Sequence, residues 1–169
     1  MIRMFGAVLV AAGAAWIGFQ AAAGLRSRVK AIRAASDGLA LLERELELTA
    51  SPLPQLLAWG AARSQEPVRG LFEGCVQGLD NLAQEDFSTL WRRLCSQCGG
   101  LGPEGQAILV PLGDTLGRCE SQRQREALSS ARRRLEELAA QLEEDNRRRG
   151  RVYQALGLSG GAFLVILLL

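Results

Sequence analysis

The sequence has no histidine. It therefore lacks the commonest general base and the commonest nitrogen ligand for metals. It has no glycine-rich loop of the spacing that cradles phosphate. It also has no acid pair set among apolar residues, where burial would raise a carboxyl pKa. No hairpin dipeptide sits between alternating apolar residues, and no internal repeat is visible. These absences argue against an enzyme, a bound cofactor and a sheet. The 20 basic and 18 acidic residues nearly cancel to a net charge of +2, so nothing calls for a polyanion or nucleic-acid partner.

The chain does have two long uncharged stretches. Residues 4–25, MFGAVLVAAGAAWIGFQAAAGL, contain one strongly polar side chain, Gln20, and as a helix they would extend about 33 Å. Residues 152–169 would extend about 27 Å, at the short end of what crosses a bilayer. Backbone polar groups in lipid must be satisfied within the segment, so both are expected to be transmembrane helices. Arg26, Arg28, Lys30 and Arg33 follow the first stretch, and Arg147, Arg148, Arg149 and Arg151 precede the second. The positive-inside rule then puts residues 26–151 in the cytoplasm, with both ends across the membrane. Topology and contact with anionic lipid account for these eight cations. A signal peptide cleaved near Ala21-Ala22-Ala23 is the rival reading, but the basic cluster follows the apolar stretch instead of preceding it.

Within residues 26–151 the apolar spacing is helical throughout. Val29, Ile32, Leu39, Leu42 and Leu46 line one face. Ser51 and Pro52 signal a second helix carrying Leu53, Leu56, Leu57 and Ala61. A third helix carries Val68, Leu71, Phe72, Val76 and Leu79. A fourth, with Asp86 as its expected cap, carries Phe87, Leu90, Trp91 and Leu94 up to Gly99-Gly100. Pro103 opens a fifth that Pro111 must kink or shorten. The last and longest has a narrow seam of Leu128, Ala131, Leu135, Leu138 and Leu142. The expected fold is all-α: a bundle of about six soluble helices flanked by the two spans, with the first and last helices antiparallel neighbours.

Four cysteines, Cys75, Cys95, Cys98 and Cys119, fall in this middle. In reducing cytoplasm structural disulfides are uncommon. A zinc site would need all four thiols, since histidine is lacking, and a redox CxxC would need a βαβ context. Burial as small hydrophobes is the plainer expectation. Glu43, Glu45 and Glu47, and Arg132 to Arg134, recur as solvated helix faces do. Ala7, Ala11 and Ala15 in the first span, and Gly157 and Gly161 in the second, are small residues at the spacing that lets helices pack closely in lipid.

Several strings, taken in order along the chain, resemble the stage III sporulation protein AB family. They are GAVLVAAGAAWIGFQAAAGLRSRVKAIR, LLERELELTASPLPQLLA, LGDTLGRCESQRQREAL and NRRRGRVYQALGLSGGAFLVILLL. The set departs from that family's pattern in its cysteines and at Cys119-Glu120, where a Ser-Asp helix cap is expected. The resemblance implies a non-enzymatic membrane component of endospore formation in the mother-cell membrane around the forespore, inside a multi-protein channel or secretion-like complex. It also implies a soluble domain similar to the cytoplasmic domain of type II secretion and type IV pilus platform proteins, which would connect a cytoplasmic secretion-type ATPase to membrane rings. A self-contained channel or transporter, working as a homo-oligomer, is the alternative, although neither span carries a buried charge. A metal- or redox-responsive sensor using Cys95 and Cys98 is a third possibility.

Overall fold

The computed structural model describes the backbone of residues 2–49, 51–79 and 86–168. Side chains are described from 26 to 49, 51 to 79, and 86 to 148. The helices are α1 (Ile2–Thr49), α2 (Leu53–Arg63), α3 (Val68–Leu79), α4 (Phe87–Gln97), α5 (Gly102–Leu109), α6 (Leu112–Thr115) and α7 (Ser121–Leu168). A 3-10 turn, Gly99–Leu101, joins α4 to α5. No strand occurs among the described residues. The expected all-α class is met, with seven helices among the described residues where about six were expected, because Pro111 separates α5 from α6. Among the described residues no helix is long and apolar enough to cross a membrane. The two expected spans, with Ala7, Ala11, Ala15, Gly157 and Gly161, have side chains that lie outside the described residues.

The chain forms two units, residues 1–26 with 140–169, and residues 27–139. The first consists of the outer parts of α1 and α7. The second holds the core. Ile32, Leu39 and Leu42 of α1 are almost fully buried there, as the three-four spacing requires. Three contacts set the direction of α7 against α1. Ser36 Oγ donates to Glu136 at 3.3 Å, Arg132 Nε to Glu43 at 3.3 Å, and Arg125 to Glu47 at 3.4 Å. Numbers rise on one helix as they fall on the other, so the two are antiparallel neighbours in this unit.

The buried seam of α7 is Leu128, Ala131, Leu135 and Ala139. Beyond Leu135 the step is four residues, so Ala139 takes the place expected of Leu138, which is only half-buried. A straight helix of 3.6 residues per turn drifts off a strict heptad, and without sustained supercoiling the seam follows the drift.

Two expected caps differ. Ser51 does not cap α2: Pro52 stands at the N-cap, its carbonyl accepts from Leu56 N at 3.0 Å, and Ser51 Oγ lies 2.8 Å from Thr49 Oγ1. Ser51 is one residue too early, and its hydroxyl is used at the end of α1. Asp86 does stand at the N-cap of α4, but its carboxylate accepts from Ser88 Oγ and pairs with Arg118 in place of capping a backbone N–H.

Glycines set two close crossings. A Cβ at Gly60 of α2 would lie 2.6 Å from Leu42 Cδ2, so α2 rests its backbone on α1. A Cβ at Gly113 would lie 2.7 Å from Trp91 Cδ1. Trp91 is fully buried, donates from Nε1 to Leu109 O at 2.8 Å, and has Phe72 and Phe87 with ring centroids 6.4 and 5.9 Å away. The LGDTLG segment is thus a platform under the indole.

Candidate interaction surface

Arg28 is a structural tie. Its guanidinium lies across Gly102, where φ is +67° and a Cβ would come 2.5 Å from Nε. It donates to Leu101 O at 3.4 Å and to Glu104 at 2.6 Å, holding the start of α5 against α1. Arg26, Lys30, Arg33, Arg147 and Arg148 are exposed, and Arg148 bonds to Glu144 one turn back at 3.2 Å. The side chains of Arg149 and Arg151 lie outside the described residues.

The acids of α1 are only partly a solvated face. Glu43 and Glu47 accept from α7, and Arg132 also reaches Glu136 at 2.7 Å. The hydrogen bond to Glu136, then the charges of Glu136 and Glu43, raise the Arg132 pKa. Arg132 is therefore a bridge across two helices, while Arg133 and Arg134 face solvent. Pairs this exposed contribute on the order of 0–1 kcal/mol each, so they align the helices more than they stabilise them.

Cys75 and Cys95 are fully buried, Cys98 is 8% exposed, and Cys119 is half-buried at the head of α7. There Gln124 N donates to Glu120 O at 3.1 Å and its side-chain amide to Cys119 O at 2.6 Å, so Gln124 serves the turn where a Ser-Asp cap was expected. Burial pushes the Cys75 thiol up to about 12 and raises Cys95 as well. Burial, then the Glu66 charge, raises Cys98. The thiolate is the nucleophile and the metal ligand, so at neutral pH these three are packing groups. Among the described residues no group of three His, Cys, Asp or Glu side chains could hold a metal.

Two of the clefts among the described residues open on the second unit. One, of about 230 Å³, lies between α1 and α7 and is lined by Glu43, Arg125, Glu126 and Arg133 among others. The larger, of about 390 Å³, lies where α3 passes the end of α4, with Cys98 and Leu71 in its lining. Leu48, at the far end of α1, is 70% exposed. Trp59 carries the Arg63 guanidinium 4.5 Å from its ring centroid. Sequence reasoning missed the larger cleft. Its signal was Gly70, Gly74 and Gly78 at steps of four along α3, a spacing that marks a helix face open to close approach.

The comparisons with known proteins agree on one family. Stage III sporulation protein AB from Bacillus subtilis (strain 168) is 26% identical over 172 residues, covering 100% of both chains. A solved structure of a stage III sporulation protein AB superposes with a TM-score of 0.61 at 23% identity, covering 72% of this chain and 97% of that one, and so shares the fold. The profile of the stage III sporulation protein AB family matches residues 3–169. The chain belongs to the stage III sporulation protein AB family.

Proposed function

We propose that this chain is a non-enzymatic membrane platform of a sporulation complex between mother cell and forespore. In this reading, residues 4–25 and 152–169 anchor it in the mother-cell membrane. Residues 26–151 form the cytoplasmic domain that receives a secretion-type ATPase and ties it to the membrane components. One observation carries the reading: the antiparallel pairing of Ser36 with Glu136 and of Glu43 with Arg132. It brings the Ser27 end of α1 and the Ala139 end of α7 to the same end of the second unit. A domain held between two spans of one membrane needs its entry and exit side by side. The eight basic residues close to those points supply the positive-inside signal. Family membership supports the sporulation role.

The test is purification of the tagged full-length chain from sporulating cells in mild detergent, with mass spectrometry of what accompanies it. A secretion-type ATPase recovered together with other small membrane proteins supports the platform. Recovery of the chain alone, under conditions that hold other membrane complexes together, removes it and favours a self-contained oligomer. Topology is read separately, with a membrane-impermeant thiol reagent on intact protoplasts. The cysteines should react only after lysis and denaturation, and labelling before lysis would exclude a cytoplasmic ATPase partner.

A further inference from the structure

Between Gly99 and Ala107 glycine stands at 99, 100, 102 and 105, and the only buried side chain is that of Leu101. The chain on either side is firmly held. Before this segment, Trp91 and Cys95 of α4 are fully buried. After it, Ile108 and Leu109 are buried, and Leu109 O accepts from Trp91 Nε1 at 2.8 Å. A stretch with one buried apolar side chain between two anchored ends has little to oppose local opening.

Two of these glycines lie on α1. A Cβ at Gly100 would be 3.5 Å from Ala31 Cβ, and one at Gly105 would be 3.7 Å from Ile32 Cγ1. Ala31 is 8% exposed and Ile32 is fully buried, so the segment is part of their cover. Besides Leu101, it is held down by Arg28 of α1, which donates to Leu101 O at 3.4 Å and to Glu104 at 2.6 Å. The same segment also closes the end of α4. The Gln106 side-chain amide donates to Ser96 O at 3.3 Å and to Cys98 O at 3.2 Å.

We propose that residues 99–107 form a strap that opens from the second unit as one piece, with Arg28 as its clasp. Its hinges are Cys98, where the backbone leaves α4, and Ala107, just before the anchored Ile108. Once released, the start of α5 unwinds, because a helix of eight residues is marginal in water. Opening uncovers Ala31 and Ile32 on α1 and frees the last carbonyls of α4 in the same step. The glycines give the released chain the freedom that favours opening, and the Arg28 contacts oppose it. The strap lies wholly within the second unit, so its opening does not depend on the platform role.

The experiment is native-state hydrogen exchange of the full-length chain in mild detergent, read residue by residue by mass spectrometry. In the closed form the Leu101 amide donates to Cys98 O and the Gly102 amide to Gly99 O. Both should exchange well before the amides of Trp91 to Cys95. Arg28→Gln should speed them at least about threefold and leave the α4 amides unchanged. Gly99→Ala acts in the opposite direction. A Cβ there meets nothing within 4 Å, so it restricts only the released chain and should slow the same amides about twofold to fivefold. Unchanged exchange in Arg28→Gln overturns the proposal, and so does equal acceleration across α4 in a chain that still melts cooperatively. If helical circular dichroism shows that Arg28→Gln does not fold, Gly99→Ala decides alone, and an unslowed strap overturns the proposal.

Discussion

The glycine series on α3 makes a graded prediction. Replacing glycine by alanine inside a helix gains roughly 0.5–1 kcal/mol, because alanine has less backbone freedom to lose. Overpacking a tight contact costs about 1–3 kcal/mol. At Gly70 the new Cβ meets only a flexible carboxylate at 3.3 Å, so the helix gain stands and Gly70→Ala stabilises by up to about 1 kcal/mol. At Gly74 the obstacle is Leu94 at 3.0 Å, a half-buried side chain able to give way, so gain and cost nearly cancel. At Gly78 the obstacle is Leu90 at 2.5 and 2.8 Å, buried to 3% exposure and unable to retreat. Gly78, one residue from the end of α3, and Gly70, third from its start, both lie where helix propensity counts for less, so the gain at Gly70 falls toward the low end of its range. Gly78→Ala is therefore expected to destabilise by about 1–2 kcal/mol. Thermal melts of the full-length chain in one detergent, followed by helical circular dichroism, would read this as midpoint shifts of opposite sign. About 1 kcal/mol corresponds to roughly 2–4 °C at this chain length. A flat series, or Gly78→Ala melting above Gly70→Ala, would refute the account of the α3–α4 contact as leucines seated against glycines.

Three further outcomes follow from the same geometry. Trp91→Phe removes the indole N–H from Leu109 O and opens space above Gly113, so a loss of about 2–4 kcal/mol is expected in denaturant unfolding; a change under 1 kcal/mol would mean that the indole is not the centre of the core. Cys95→Ser buries a hydroxyl in place of a fully buried thiol and should cost about 1–3 kcal/mol, whereas Cys98→Ser, beside Pro67 O, should cost less. Loss of sporulation in Cys98→Ser at unchanged stability would revive a chemical role for the CxxC pair. The Asp86 pKa is lowered by the Ser88 hydroxyl first and the Arg118 charge second, so its contribution is present above the ordinary aspartate value and is lost as pH falls through the lowered one. The melting difference between the wild-type chain and Asp86→Asn should therefore shrink below about pH 4, and a difference that grows on acidification would reverse the sign.

What was legible in the sequence was what periodicity dictates. Ile32, Leu39 and Leu42, or Leu128 and Leu135, recur at helical spacing because burial has to follow the helix, and the structure buries them. Pro111 had to break a helix because it lacks the N–H and crowds the preceding turn, and α5 does stop at Leu109. What was not legible depends on partners distant in sequence. Nothing near Arg132 says that Glu43, eighty-nine residues earlier, will stand opposite it, so a bridging cation read as a solvated one. Arg28 read as a topology signal because only the fold brings Leu101 O and Glu104 to it. Ser51 failed as a cap by one residue, a shift that local propensity does not resolve. The cleft was hidden for another reason. It opens only where α4 ends before residue 98, and glycine spacing on α3 alone does not give where the facing helix stops.

The pairing of α1 with α7 also governs the order in which the chain acquires its structure. Ser36 waits for Glu136, a separation of one hundred residues, while the contacts among α2, α3, α4 and the short helices close over far shorter loops. At about 5–20 residues per second of synthesis, the side of α1 that will meet α7 stays open for roughly 5–20 s. The central helices therefore have time to assemble on α1 before α7 has been synthesised. Closing so long a loop adds only a few kcal/mol of chain entropy over a short one, so the delay is set by the ribosome more than by the search.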